Sequence, residues 1–99
     1  MITVSVKNDT IYYVLSGSDQ ELSNELMDKV MELVSDDIMK HGVIDVSRLS
    51  VISSQCIGKI LRYYAYFKKK GGSLKIIGSR EEVRHSFKAL KLDHILVLE

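Results

Sequence analysis

The sequence predicts an α/β fold: a two-layer mixed β-sheet with helices, in the order β-β-α-β-α-β-α-β. Three observations point to it. Apolar residues alternate with a period of two over residues 2–7 and 10–16, they recur every three to four residues over three later stretches, and short apolar runs separate those stretches. Strands joined by a helical crossover pair in parallel, whereas the first two lie too close for anything but an antiparallel hairpin, so the sheet is mixed, with right-handed connections. A chain of 99 residues, 45% of them hydrophobic, has room for one core and no second one. One domain over residues 1–99 is therefore expected, not a multidomain enzyme.

Each element has its own signal. Ile2, Val4 and Val6 alternate with Thr3, Ser5 and Lys7, and Ile11, Tyr13 and Leu15 with Thr10, Tyr12 and Val14. Asn8-Asp9 between them tolerates the positive φ of a tight turn. From Gln20 to Lys40 the period lengthens, with Leu22, Leu26, Val30, Leu33 or Val34, and Ile38 on one helical face. Ser18 or Asp19 is placed to cap this helix and Gly42 to end it in the left-handed conformation, while Glu21, Glu25, Asp28, Glu32 and Asp36 form an acidic stripe on its other face. Val43 to Val46 reads as a short strand, followed by the polar turn Ser47 to Ser50.

A second helix starts near Ser53 or Ser54 and runs to Lys70, closed by Gly71-Gly72. Its expected core face is Ile57, Ile60, Leu61, Tyr64 and Ala65 flanked by Tyr63 and Phe67, and its outer face Gln55, Lys59, Arg62, Tyr66 and Lys69. Leu74 to Ile77 is the next strand. Ser79 with Glu82 three residues on has the form of a reciprocal capping box, opening a third helix on Val83, Phe87 and Leu90 that reaches Lys91. Ile95 to Leu98 is the last strand. There is no proline and no low-complexity linker.

Composition narrows the chemistry. The formal net charge is +1, but residues 1–47 hold three Lys/Arg against nine Asp/Glu, and residues 48–99 eleven against four. Opposite charges that meet on folding explain such a split, as does a surface built for a charged partner. No apolar run exceeds five residues, and the N-terminus lacks the basic start and hydrophobic block of a signal peptide, so a cytoplasmic protein with no membrane association is expected. One cysteine, Cys56, forms no internal disulfide and fits a reducing compartment. His41, His85 and His94 lack metal-ligand spacing and read as surface residues, no glycine-rich phosphate loop is present, and no cofactor is expected. Cys56, one turn before Ile60, reads as a small core residue rather than a nucleophile. Lys68-Lys69-Lys70 complements a helix C-terminus, so the nearby aromatics do not argue for nucleic acid.

The most informative stretch runs from Ile44 to Gly58: a strand ending in Asp45, a polar loop, and paired serines at a helix start with Gly58 one turn in. Serines cap helices by accepting a hydrogen bond from a free amide of the first turn. A hydroxyl exposed there is also a place where the fold tolerates an added phosphate, because the amides and the dipole favour an anion.

This stretch resembles the signature of STAS domains, the family of bacterial anti-sigma factor antagonists, in which a strand ending in Asp leads to Asp-Ser-Ser/Ala/Thr-Gly-Leu-Gly at a helix start. Asp45 matches the strand acid, Ser54 the phosphorylated serine, Ile57 the leucine and Gly58 the final glycine. The element order and the Gly71 to Gly78 stretch match as well. Ser53 stands where the family has an aspartate and Cys56 where it has a glycine.

The resemblance implies a non-enzymatic regulatory protein that binds an anti-sigma factor or related serine kinase through Asp45, Ser53, Ser54, Gln55, Gly58, Lys59 and Arg62. Phosphorylation of Ser54 by that partner would end docking, and a phosphatase would restore it. The alternative is a scaffold or docking subunit without the switch, binding through the basic outer face of the second helix and Tyr66. A homodimer is compatible with either, through an open sheet edge.

Overall fold

A computed structural model describes residues 2–17 and 40–99. Five strands form one sheet in the order β1 (Ile2–Lys7), β2 (Thr10–Leu15), β3 (His41–Asp45), β4 (Ser73–Ile77) and β5 (Val97–Leu98). β1 and β2 are antiparallel, with Ile2 opposite Leu15 and Lys7 opposite Thr10, and the remaining pairs are parallel. Asn8 takes φ of 58° in the hairpin turn, as an Asn-Asp pair readily does. Two helices are described, α1 (Ser54–Lys69) and α2 (Glu81–Ala89), with a single turn of 3-10 helix at Leu92–His94. The crossovers β3–α1–β4 and β4–α2–β5 step in the same direction along the sheet, so right-handed connections put both helices on one face. The expected helix over residues 20–40, with its acidic stripe, lies outside the described residues except at Lys40, which is not helical.

The core fills the space between that sheet face and the helices. Ile11, Tyr13 and Leu15 of β2, Ile44 of β3, and Leu74 and Ile76 of β4 meet Cys56, Ile57, Ile60, Tyr63 and Phe67 of α1 and Val83 and Phe87 of α2. The rings of Tyr13 and Tyr63 stack at 6.5 Å between centroids and 15° between planes. Burial pushes the Tyr13 phenol above its ordinary range.

Gly42 departs from the expectation. It lies inside β3 and is buried, and it is not among the left-handed glycines of the described residues. A Cβ there would stand 2.7 Å from the Phe67 ring and 2.8 Å from Leu74 Cδ1, so the glycine lets α1 press Phe67 onto the sheet rather than ending a helix. That close approach also fixes the helix phase. Tyr63 and Phe67 are fully buried, Leu61 and Tyr64 are half-buried, and Ala65 is exposed, so the core face is rotated from the one expected. The helix ends at the predicted glycines: Gly71 has φ of +78°, its amide donates to Lys68 O, and the Gly72 amide donates to Phe67 O at 2.8 Å.

The C-terminal third differs in detail. The capping box does not form: Arg80 is the N-cap of α2 and makes no side-chain cap bond, while Ser79 Oγ accepts from Arg84 Nε at 3.4 Å. Arg80 is drawn instead to the β3–α1 loop, where its Nε donates to Ser47 O at 3.1 Å. α2 stops at Ala89 and the chain turns through Lys91 at φ of 59°, which leaves Leu90 exposed. The last strand shortens to Val97–Leu98 because the Leu96 amide still donates to Leu92 O; Leu96 is buried and Ile95 is exposed.

Candidate functional site

The site is built at the C-terminal end of β3. Asp45 closes the strand, and its Oδ1 accepts from the Ser47 amide at 2.9 Å. The Ser47 hydroxyl and that amide hold the Asp45 carboxyl below the usual carboxylate range, against an opposing effect of burial and with a lesser contribution from Arg48. The loop is pinned from below: the Val46 amide donates to Ile77 O, the Leu49 amide to Val46 O, and the side chains of Leu49 and Ile52 are buried. Gly78, at φ of +71°, faces it so closely that a Cβ would lie 2.7 Å from Ser47 Cβ and 3.2 Å from Asp45 Oδ1. Gly78 and Arg80 thus hold the loop from the neighbouring strand end. Sequence reasoning left them out because nothing local in a glycine or an arginine says which distant loop it will meet.

The two serines that follow have different jobs. Ser53 is extended, with φ of −84° and ψ of 159°, and its Oγ accepts from the Cys56 amide at 3.1 Å. It is the helix cap. Ser54, the first residue of α1, is exposed. Cys56 and Ile57 turn into the core, so the cysteine side chain is accommodated inward and the outer surface gains nothing from it. Gly58 is exposed, and a Cβ built on it would meet nothing within 4 Å. Neither packing nor backbone conformation demands glycine there, although a glycine inside a helix costs about 0.5–1 kcal/mol relative to alanine.

Ser54, Gln55, Gly58, Lys59 and Arg62 line one shallow depression. Five of the seven residues expected to bind a partner therefore share a surface. Asp45 and Ser53 are not among its lining residues: their side chains order the loop and the helix start. A second depression continues along the same helix face, lined by Arg62, Ala65, Tyr66 and Lys69. The outer-face periodicity had named Tyr66 and Lys69, but the rotated helix phase, which brings Ala65 to the surface, was not legible.

The other candidate chemistry is elsewhere. His41 Nδ1 lies 2.8 Å from Ser73 Oγ and its Nε2 3.7 Å from Asp9 Oδ2, fastening the hairpin turn to β3 and β4. His85 and His94 are exposed. Among the described residues no group of three or more His, Cys, Asp or Glu is placed to hold a metal ion, and no helix is long and apolar enough to cross a membrane.

The comparisons with known proteins bear on the family and the fold. The STAS domain family model matches residues 1–99. Among solved structures, an anti-sigma factor antagonist from Mycobacterium paratuberculosis is similar with a TM-score of 0.83 at 19% identity, over 99% of this chain and 83% of that one. The phosphorylated form of the Bacillus cell-fate determinant SpoIIAA gives 0.79 at 16% identity, over 100% and 91%. A serine-to-glutamate variant of RsbS from Moorella thermoacetica gives 0.81 at 15% identity, over 99% and 85%. At these identities the likeness shows a shared fold, that of anti-sigma factor antagonists.

Proposed function

This chain belongs to the STAS domain family, and from that premise we propose that it is a non-enzymatic regulatory module that docks on an anti-sigma factor with serine kinase activity. The docking surface is the depression of Ser54, Gln55, Gly58, Lys59 and Arg62, supported from behind by Asp45 and Ser53. The partner transfers the terminal phosphoryl group of a nucleoside triphosphate to Ser54 Oγ. A P–O bond to the departing diphosphate breaks, and the hydroxyl proton leaves to a base of the kinase. The phosphate adds about 1.5–2 negative charges to a surface whose other charged groups are cationic, and the module is released.

The observation that carries this reading is the division between the serines: Ser53 is spent on the cap, whereas Ser54 stands exposed beside a glycine that the fold itself does not require. Phosphate at the first helical position is compatible with the fold because the amides of the first turn and the dipole favour an anion. Binding of the cognate anti-sigma factor to Ser54→Ala and Ser54→Asp variants tests it. Retained binding by the alanine variant and loss of at least ten-fold by the aspartate variant is expected. Equal binding by both contradicts the switch.

The second reading, a docking subunit without the switch, is favoured by one observation: a neutral serine at position 53 stands where the family has an acid beside the target hydroxyl. Under it, both variants bind alike and affinity follows Arg62, Tyr66 and Lys69.

A further inference from the structure

The two edges of the described sheet are unlike. β5 is two residues long, and so short an edge strand offers little for another chain to pair with. β1 is six residues long and pairs with β2 from end to end without a bulge. It has no proline, and its one charge is Lys7, at its last position. Bulges, prolines and charges are what keep edge strands from pairing, and β1 has only that one lysine. The hairpin decides which backbone groups point outward. Lys7 and Thr10 flank a two-residue turn and exchange both ladder bonds, as do Ser5 with Tyr12 and Thr3 with Val14. Val4 and Val6 therefore aim their N–H and C=O groups away from β2. Their side chains share the helix-side face with Tyr13 and Ile11, yet Val6 is 50% exposed.

We infer that β1 is the contact surface for a second copy of this chain, whose own β1 pairs with it antiparallel about a two-fold axis at Val4. The strand is self-complementary in that register. On the helix-side face Val4 meets Val4 and Val6 meets Ile2 of the other copy, which covers the exposed valine; on the opposite face Thr3 meets Ser5, hydroxyl against hydroxyl. The two Lys7 residues stand six positions apart, about 20 Å, well beyond the Debye length of about 8 Å at physiological salt. An axis at Val6 would bring those lysines to about 7–8 Å and set Val4 against the turn residue Asn8. Outward hydrogen-bonding groups, apolar side chains and charge thus favour the same isologous pairing.

Sedimentation equilibrium of the full chain tests for the dimer, and a disulfide cross-link tests its register. Thr3 and Ser5 are exposed, so a cysteine at either keeps the fold, and the native Cys56 is buried. In a mixture of Thr3→Cys and Ser5→Cys proteins the new thiols lie directly opposite, with Cα atoms about 4.5 Å apart, within the span of a disulfide. In either variant alone they are diagonal, about 7–8 Å apart, which is too far. A concentration-dependent dimer is expected, with the mixture cross-linking about ten-fold faster than either variant alone. Val6→Lys, which adds a charge to the edge at an exposed position, is expected to weaken the dimer about ten-fold. A chain that stays monomeric into the millimolar range overturns the inference, including the case where a different protein adds its strand to this edge. Equal cross-linking in the mixture and in the single variants overturns it as well. Ser54 has no part in this pairing, so neither result bears on the docking reading.

Discussion

The two described helices begin in opposite ways. α1 has a side-chain cap, Ser53, and no acid in its first turn; α2 has no side-chain cap but carries Glu81 and Glu82 there. Both helix starts present free amides and the positive end of a dipole. α2 answers that field with its own carboxylates, and its N-cap side chain is drawn away to steady the β3–α1 loop. α1 answers it only partly, through one neutral hydroxyl, and leaves an exposed serine in a field still unmet by any anion of the helix. A start that is electrostatically complete is structural. One that lacks only an anion is suited to receiving it from outside, as phosphate is.

That contrast can be broken by substitution. The largest effect is expected at Ser54: an aspartate there weakens partner binding at least ten-fold, or about 1.4 kcal/mol, whereas Glu81→Ser at the other helix leaves binding unchanged. Titration calorimetry against the cognate partner reads both. Next comes the cap. Ser53→Ala is expected to destabilise the fold by about 1 kcal/mol in denaturant unfolding, because the Cys56 amide loses its acceptor. Gly58→Ala is expected to move stability the other way, raising it by about 0.5–1 kcal/mol since the methyl enters open space, while it weakens docking. The smallest change is at Ser79, whose hydroxyl caps nothing: Ser79→Ala stays within about 0.5 kcal/mol.

The loop behind α1 adds a dependence on pH. The Asp45 carboxyl titrates below its ordinary value, 3.8, so the unfolded chain takes up a proton there before the folded one does. Its contribution is complete above that value and is lost as pH falls through the folded-state pKa. Asp45→Asn therefore narrows the gap between stability at neutral pH and at strongly acidic pH, measured by urea unfolding across that window. An equal gap in both proteins contradicts the Ser47 contact as the cause.

Much of this was legible in the sequence where local rules govern. The hairpin, the span of α1, its Gly71-Gly72 ending and the core placement of Cys56 follow from periodicity, capping and size. The failures lie where a distant partner decides. Gly42 has the look of a helix stop, but its meaning is set by Phe67, 25 residues further on, pressing on the strand. The capping box at Ser79 has the right spacing, yet Arg80 serves a loop more than 30 positions away. At the site, the resemblance matches Ser54 to the phosphorylated serine, and the geometry adds that Ser53 is the helix cap and Ser54 is exposed, because two adjacent serines are chemically alike until the helix start is placed.

The assignment of the two serines is the central claim, and mapping the phosphate tests it most directly. After incubation with the cognate kinase and nucleoside triphosphate, fragmentation mass spectrometry of the peptide spanning Ser53 and Ser54 distinguishes the sites. A single phosphate on Ser54, lost in Ser54→Ala and retained in Ser53→Ala, is the result the account predicts. Phosphate on Ser53, or an unmodified peptide from a kinase active on its own substrate, contradicts it.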